Sequence, residues 1–169
     1  MADANEQFAR FKALIATAEP PLLGPRQREG TATIAGLTAK LGRYFESENI
    51  PSHIQPLLKS AAFLWHDHLD ASHTLSQDIS TRDGSWLHGI MHRREPDYGN
   101  AKYWFHRVGK HSAFPQLAAK LGLREWDPFA FIDECEAAEQ GNDAELMGKL
   151  RKTQAAEFDV LVEHIFQNA

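Results

Sequence analysis

Residues 54–79, IQPLLKSAAFLWHDHLDASHTLSQDI, carry the strongest pattern in the chain. Ile54, Leu58, Ala61, Trp65, His68, Ser72, Leu75 and Ile79 follow one another at steps of four and three, the spacing at which an α-helix returns to the same face. The pattern predicts one continuous helix with a core stripe, on which His68 and Ser72 lie mainly buried between Trp65 and Leu75 and need hydrogen-bond partners. A second row at similar spacing, His66, Asp70, His73 and Gln77, is rotated off that stripe and borders the core with polar groups.

Helical periods extend in both directions, and no sustained alternation of β-branched and aromatic residues points to a sheet. Phe8, Phe11, Leu14 and Ile15 predict a first helix that ends before Pro20 and Pro21, with a connector from Pro20 to Gly30. Ile34, Leu37, Leu41, Tyr44 and Phe45 predict a second helix, stopped before Pro51. Downstream, Asp127 and Pro128 open a helix that Gly141 ends. Asn142 and Glu145 form a capping box for a last helix with the stripe Met147, Leu150, Gln154, Phe158, Leu161 and Ile165. Turn signals at Arg82 to Gly84 and Pro96 to Asn100 divide the middle into short helices. The expectation is an all-α protein, a single-domain helical bundle over residues 1–169 with a short-helix insert.

An apolar fraction of 43% over 169 residues suffices for one buried core. Without a long apolar run or a secretion-type start, a cytoplasmic, membrane-free protein is expected. Cys135 is the one cysteine, so disulfides and thiolate metal sites are excluded and any metal takes nitrogen and oxygen ligands. The acids Asp133, Glu134 and Glu136 around it disfavour a thiolate nucleophile. Charge is uneven: net +3 from Ser80 to His111 and net −8 from Glu125 to Ala169. The basic island suits a small anionic partner, and it is too short and mixed for a nucleic-acid surface.

Seven of the nine histidines fall between His66 and His111. If Ser85 to Glu95 is helical, His88, His92 and Glu95 share one stripe, where two imidazoles and a carboxylate can hold zinc, manganese, iron or nickel. A further ligand would come from His66 or His73, with Asp70 or Glu95 as ligand or general base. The alternative assigns one row to ligands and the other to partners that orient them, or leaves the histidines as hydrogen-bonding walls. Arg93, Arg94 and Arg107 are candidates to hold substrate charge, and Tyr98, Asn100, Tyr103 and His68 to line the pocket; equally, Arg93 or Arg94 could pair with an acid such as Glu157 while Trp104 and Phe105 fill the core. Ser72 and Ser76, mid-helix beside histidines, lack the free backbone NH groups of an oxyanion hole.

The pair His66 and Asp67 resembles the His-Asp doublet of HD-domain phosphohydrolases, a likeness that would imply a metal site. The earlier histidine, His53, sits on the same predicted helix, and the later candidates Asp127 and Asp133 belong to a helix with a structural reading. The runs Trp65 to Gln77 and Trp86 to Gly109, about a quarter of the chain, resemble a family of uncharacterised proteins and imply no activity. The functional expectation is a metal-dependent hydrolase-type enzyme acting on a small anionic substrate. The alternatives are a metal-free small-ligand-binding protein, or a helical interaction module that docks an acidic partner or its own twin as a homo-oligomer.

Overall fold

The computed structural model describes residues 3–169, which form nine α-helices and no strand. In chain order these are α1 (Ala4–Leu14), α2 (Ile34–Ser47), α3 (Gln55–Trp65), α4 (Leu69–Ser76), α5 (Arg82–Arg94), α6 (Tyr98–Val108), α7 (Phe114–Leu121), α8 (Pro128–Gly141) and α9 (Ala144–Gln167). Six of them begin at a residue whose side chain accepts from backbone NH groups two or three positions on: Asp3, Thr33, Thr81, Asp97, Asp127 and Asp143. Several boundaries differ from expectation, among them the start of α6, which takes in Tyr98 to Asn100 of an expected turn. Asp143 caps α9, because Asn142 takes the left-handed conformation that ends α8. Arg82 to Gly84, expected as a turn, is the first turn of α5, since Thr81 supplies the cap.

The continuous helix expected from Ile54 to Ile79 is broken. α3 stops at Trp65, Asp67 adopts a positive φ of 66°, and α4 restarts at Leu69. The Asp67 carboxylate holds this corner: Oδ2 accepts from Arg28 Nε at 2.8 Å and Arg28 N at 2.9 Å, and Oδ1 accepts from an Arg94 guanidinium nitrogen at 2.7 Å. The same arginines cap the end of α3, Arg94 donating to Leu64 O at 2.7 Å and Arg28 to Trp65 O. Burial alone would raise the Asp67 carboxyl pKa. Hydrogen bonds from Arg28 and Arg94 outweigh it and hold the group below its usual range. Beyond the corner, α4 lies against α3, with Ser60 Oγ donating to Ser72 O at 3.1 Å.

The break moves the histidine rows. His68 leaves the predicted stripe and precedes α4 half-buried, its side chain turned away from the helix with Nε2 on Ala32 O at 2.6 Å. His66 stays buried and fastens the connector, Nδ1 accepting from Ala32 N at 3.0 Å and Nε2 donating to Ile15 O at 3.1 Å.

The short helices in the middle of the chain lie at the centre of the packing. Every residue of α5 from Gly84 to Arg94 is buried, and α3, α4, α6 and α9 all pack on it. Such a polar helix can be central because its polar groups find partners on α9: Trp86 Nε1 donates to Glu157 Oε1 at 3.0 Å, and Arg93 donates to Glu157 Oε2 at 2.6 Å and Gln154 Oε1 at 3.2 Å. Gly89 is required by the fit, since a Cβ there would lie 2.7 Å from a Phe105 ring carbon. No helix among the described residues is long and apolar enough to cross a membrane.

Asp67→Ala strips the charge partner from two largely buried arginines. It is expected to cost about 3–5 kcal/mol of unfolding free energy in urea titration, whereas Asp70→Ala, on the exposed face of α4, should change it by less than about 0.5 kcal/mol.

Candidate metal centre

Two helices bring His73, His88 and His92 together. His88 and His92 are one turn apart on α5, and His73 comes from the last turn of α4, folded across α5 by the corner at Asp67. One ring nitrogen from each lies within 4.8 Å of the others. His88 Nε2 and His92 Nε2 face each other at 2.9 Å, and His73 packs edge-on to both rings, centroids 4.7 and 5.4 Å away. His88 and His92 are buried and His73 half-buried.

Surrounding groups decide where the ring protons sit. His92 Nδ1 is 3.2 Å from Oε2 of Glu95, the residue that follows α5, so its proton points at the carboxylate and its Nε2 carries a lone pair. His88 Nδ1 is 3.3 Å from Ser76 Oγ, a hydroxyl that can accept or donate. In the gap between the two Nε2 atoms, the His88 ring hydrogen either sits on Nε2 and is donated to His92, with the Ser76 hydroxyl turned toward Nδ1, or sits on Nδ1, which leaves two opposed lone pairs. Burial, then the neighbouring His92 and His73, pulls His88 down to about 4, and burial likewise lowers His92. All this disfavours an extra proton on the cluster and leaves neutral nitrogen ligands.

Trp104 stacks flat on His88, centroids 3.8 Å apart and planes 19° from parallel, and the Arg107 guanidinium lies 5.1 Å over the Trp104 ring. Asn100, half-buried on the first turn of α6, brings Nδ2 to 3.2 Å from His92 Nε2. Tyr103 is 53% exposed and meets Trp104 edge-on. Those side chains form the rim.

Other sequence candidates lie elsewhere. Both His66 ring nitrogens are engaged in backbone hydrogen bonds and Asp67 is spent on arginines, so the doublet offers no ligand atoms to a metal. Arg93 and Arg94 are 2% and 1% exposed in ion pairs with Glu157 and Asp67, which removes them as holders of substrate charge. Asp70 is exposed, and as neither ligand nor base does it reach the trio; it lines a groove of about 360 Å³ with His68 and Glu95. Tyr98 packs against the core. Cys135 is buried, and burial pushes its thiol up to about 11.

A second group, Asp83, His111 and His164, escaped sequence reasoning because His164 stands 81 positions from Asp83 and no local pattern links them. His111 Nε2 is 2.9 Å from Asp83 Oδ1, and His164 Nε2 is 3.9 Å from the same oxygen. Here the tautomer runs the other way. Ala113 N donates to His111 Nδ1 at 3.1 Å, so Nε2 keeps its hydrogen and donates it to Asp83. That ring has no lone pair to give a metal, and the group is a clip in which a hydrogen bond joins α5 to the segment before α7 while His164 of α9 packs edge-on to the His111 ring. Trp104, expected in the core, and Ser76 were also missed as neighbours of the trio, since nothing in their spacing separates them from packing residues.

No family model matches the chain, and no curated protein or solved structure is similar to it.

Because the folded pKa values of His88, His92 and His66 lie below 6.5, the unfolded chain binds protons that the native rings refuse as pH falls. Their contribution to stability is complete above about pH 6.5 and declines as pH falls below it, the part owed to His88 being lost by about pH 4. Urea unfolding measured across that range should decline with falling pH, and His88→Gln should flatten the slope; an unchanged slope would contradict the proton assignment.

Proposed function

We propose that His73, His88 and His92 are the ligands of a single divalent metal ion, and that the chain is a metal-dependent enzyme of hydrolase type acting on a small anionic substrate. The observation that carries this reading is the pair of opposed Nε2 atoms at 2.9 Å, with His73 completing the group. In a tetrahedral site with metal–nitrogen bonds of about 2.0–2.1 Å, neighbouring ligand atoms are roughly 3.3 Å apart, so a small adjustment brings the pair to ligand spacing. Three imidazoles leave a coordination position for water or substrate, and no fourth ligating side chain belongs to the group among the described residues. Three neutral nitrogen donors suit zinc, iron or nickel and disfavour manganese, which prefers oxygen.

When bound, such an ion supplies Lewis acidity and a water acidified toward neutral pH. The protein's own contributions follow from the contacts. Glu95 orients His92 and fixes its tautomer, which makes it a positioning residue rather than a general base. Ser76 orients His88, and because its hydroxyl can donate or accept it serves either tautomer of that ring. Arg107, which has no carboxylate partner among the described residues, supplies the positive charge at the rim. A second reading, a metal-free ligand-binding protein, draws support from the same network: Ser76, His88, His92 and Glu95 form a complete hydrogen-bond chain with one proton between the rings.

Untagged protein dialysed against a chelator and titrated with zinc should bind about one equivalent. His73→Ala, or His88→Ala with His92→Ala, should weaken binding by two orders of magnitude or more, while His111→Ala should leave the stoichiometry unchanged. No binding of zinc, iron, nickel or manganese would leave the metal-free reading. With metal bound, a panel of small phosphate and carboxylate esters should reveal chelator-sensitive hydrolysis, and Arg107→Ala should raise KM about tenfold with kcat largely kept.

A further inference from the structure

Asn100 stands out at the rim because its amide contacts a nitrogen that a metal would use. Its backbone is pinned at the start of α6 by the Asp97 carboxylate, Asn100 N donating to Oδ1 at 3.2 Å, so the side chain projects from a fixed point. Nδ2 lies 3.2 Å from His92 Nε2 and 3.4 Å from His92 Nδ1. Nearly equal distances to both ring nitrogens place the amide over the face of the His92 ring, out of line with either in-plane lone pair, so its hydrogens have no well-aligned acceptor there.

A donor without an aligned acceptor is costly in this half-buried place, and an amide nitrogen has no lone pair of its own to coordinate an ion. An oxygen bound at the coordination position left by the three histidines would lie about 3.3 Å from His92 Nε2, and the amide, 3.2 Å from the same nitrogen, is the rim donor that meets such an oxygen where that position opens toward α6. Building on the metal-centre reading, we propose that Asn100 is the specificity-determining donor of this site: its amide hydrogen-bonds one oxygen of a small oxyanion, a carboxylate or phosphate group, whose oxygen also binds the metal.

The geometry favours an oxyanion over a neutral ligand. The three ligands are neutral, so the ion keeps its full double charge. Asn100 presents a donor, and Arg107 over Trp104 adds a cation on the His88 flank. The carboxylate nearest the trio, Glu95, is turned to His92 Nδ1.

The test uses the full chain loaded with one equivalent of cobalt(II), whose visible absorption reports the ligands around the ion. Inorganic phosphate and, separately, acetate are titrated in. Wild-type protein should show a saturable change in the cobalt bands with at least one of them. Asn100→Ala should retain one equivalent of cobalt and a wild-type circular dichroism spectrum, yet bind the oxyanion about tenfold more weakly. Asn100→Ser, which keeps a hydroxyl donor, should recover part of that loss. Unchanged oxyanion affinity in Asn100→Ala overturns the assignment. So does loss of cobalt from that variant, because the side chain would then be a ligand or a support for His92, and so does wild-type cobalt protein whose bands respond to neither anion. Wild-type protein that takes up no cobalt overturns the metal-centre reading itself, and metal content measured before any anion is added distinguishes that failure from the others.

Discussion

One buried carboxylate determines the course of the chain. Asp67 sits where two helical segments of matching period would otherwise join, and it faces two arginines from distant parts of the sequence, Arg28 of the connector and Arg94 at the end of α5. An uninterrupted helix over residues 54–79 would be roughly 39 Å long and would carry His73 far from the end of α3. The positive φ at Asp67 costs something for a residue with a side chain. The charge-assisted hydrogen bonds offset that cost, and both guanidinium groups also satisfy the carbonyls that α3 leaves open at its end. α4 then folds back along α3, and His73 meets His88 and His92.

The same logic governs α5. Its sequence is strongly polar, yet it occupies the centre, because its buried aromatic and charged side chains meet partners from distant parts of the chain. Glu157 receives Trp86 and Arg93 together, and Gln154 takes the remaining Arg93 contact. Buried charges of this kind contribute less to stability than to choice of arrangement, since a slipped α5 would strand an arginine or a carboxylate away from water. The nitrogens Arg93 Nε and Arg94 Nε find no partner, a residual cost that the rest of each guanidinium carries. Gly89 sets the register from the other side, because only a residue without Cβ lets the Phe105 ring close on α5.

Two groups of three ligating side chains have similar spacing and different chemistry. In both, one imidazole is fixed by a neighbour at Nδ1, and the nature of that neighbour decides what Nε2 can do. At His92 the neighbour is a carboxylate, an acceptor, which frees Nε2. At His111 it is the backbone NH of Ala113, a donor, which obliges Nε2 to keep its hydrogen. Distance alone would rank the two groups together; hydrogen-bond polarity separates a candidate ligand set from a clip between helices.

Whatever depends on contacts within a few residues is legible in local spacing. Helical class, most helix ends, the cap at Asp127 with Pro128 opening the helix, and the pairing of His88 with His92 all follow from it, since three or four positions are one turn apart. His73 and His66 were equivalent at that level, as were a continuous helix and a broken one over residues 54–79. Tertiary structure chose between them through groups remote in the chain: Arg28 and Arg94 on Asp67, Ala32 and Ile15 on His66, Glu157 on Arg93. Those contacts turned arginines and a histidine that looked available for a ligand into buried structural groups. They also brought Asp83 to His164 and Trp104 onto His88. Periodicity records which face a residue shares with its near neighbours. What meets that face is decided only when distant segments pack, because burying a charge is tolerable only where a partner arrives with it.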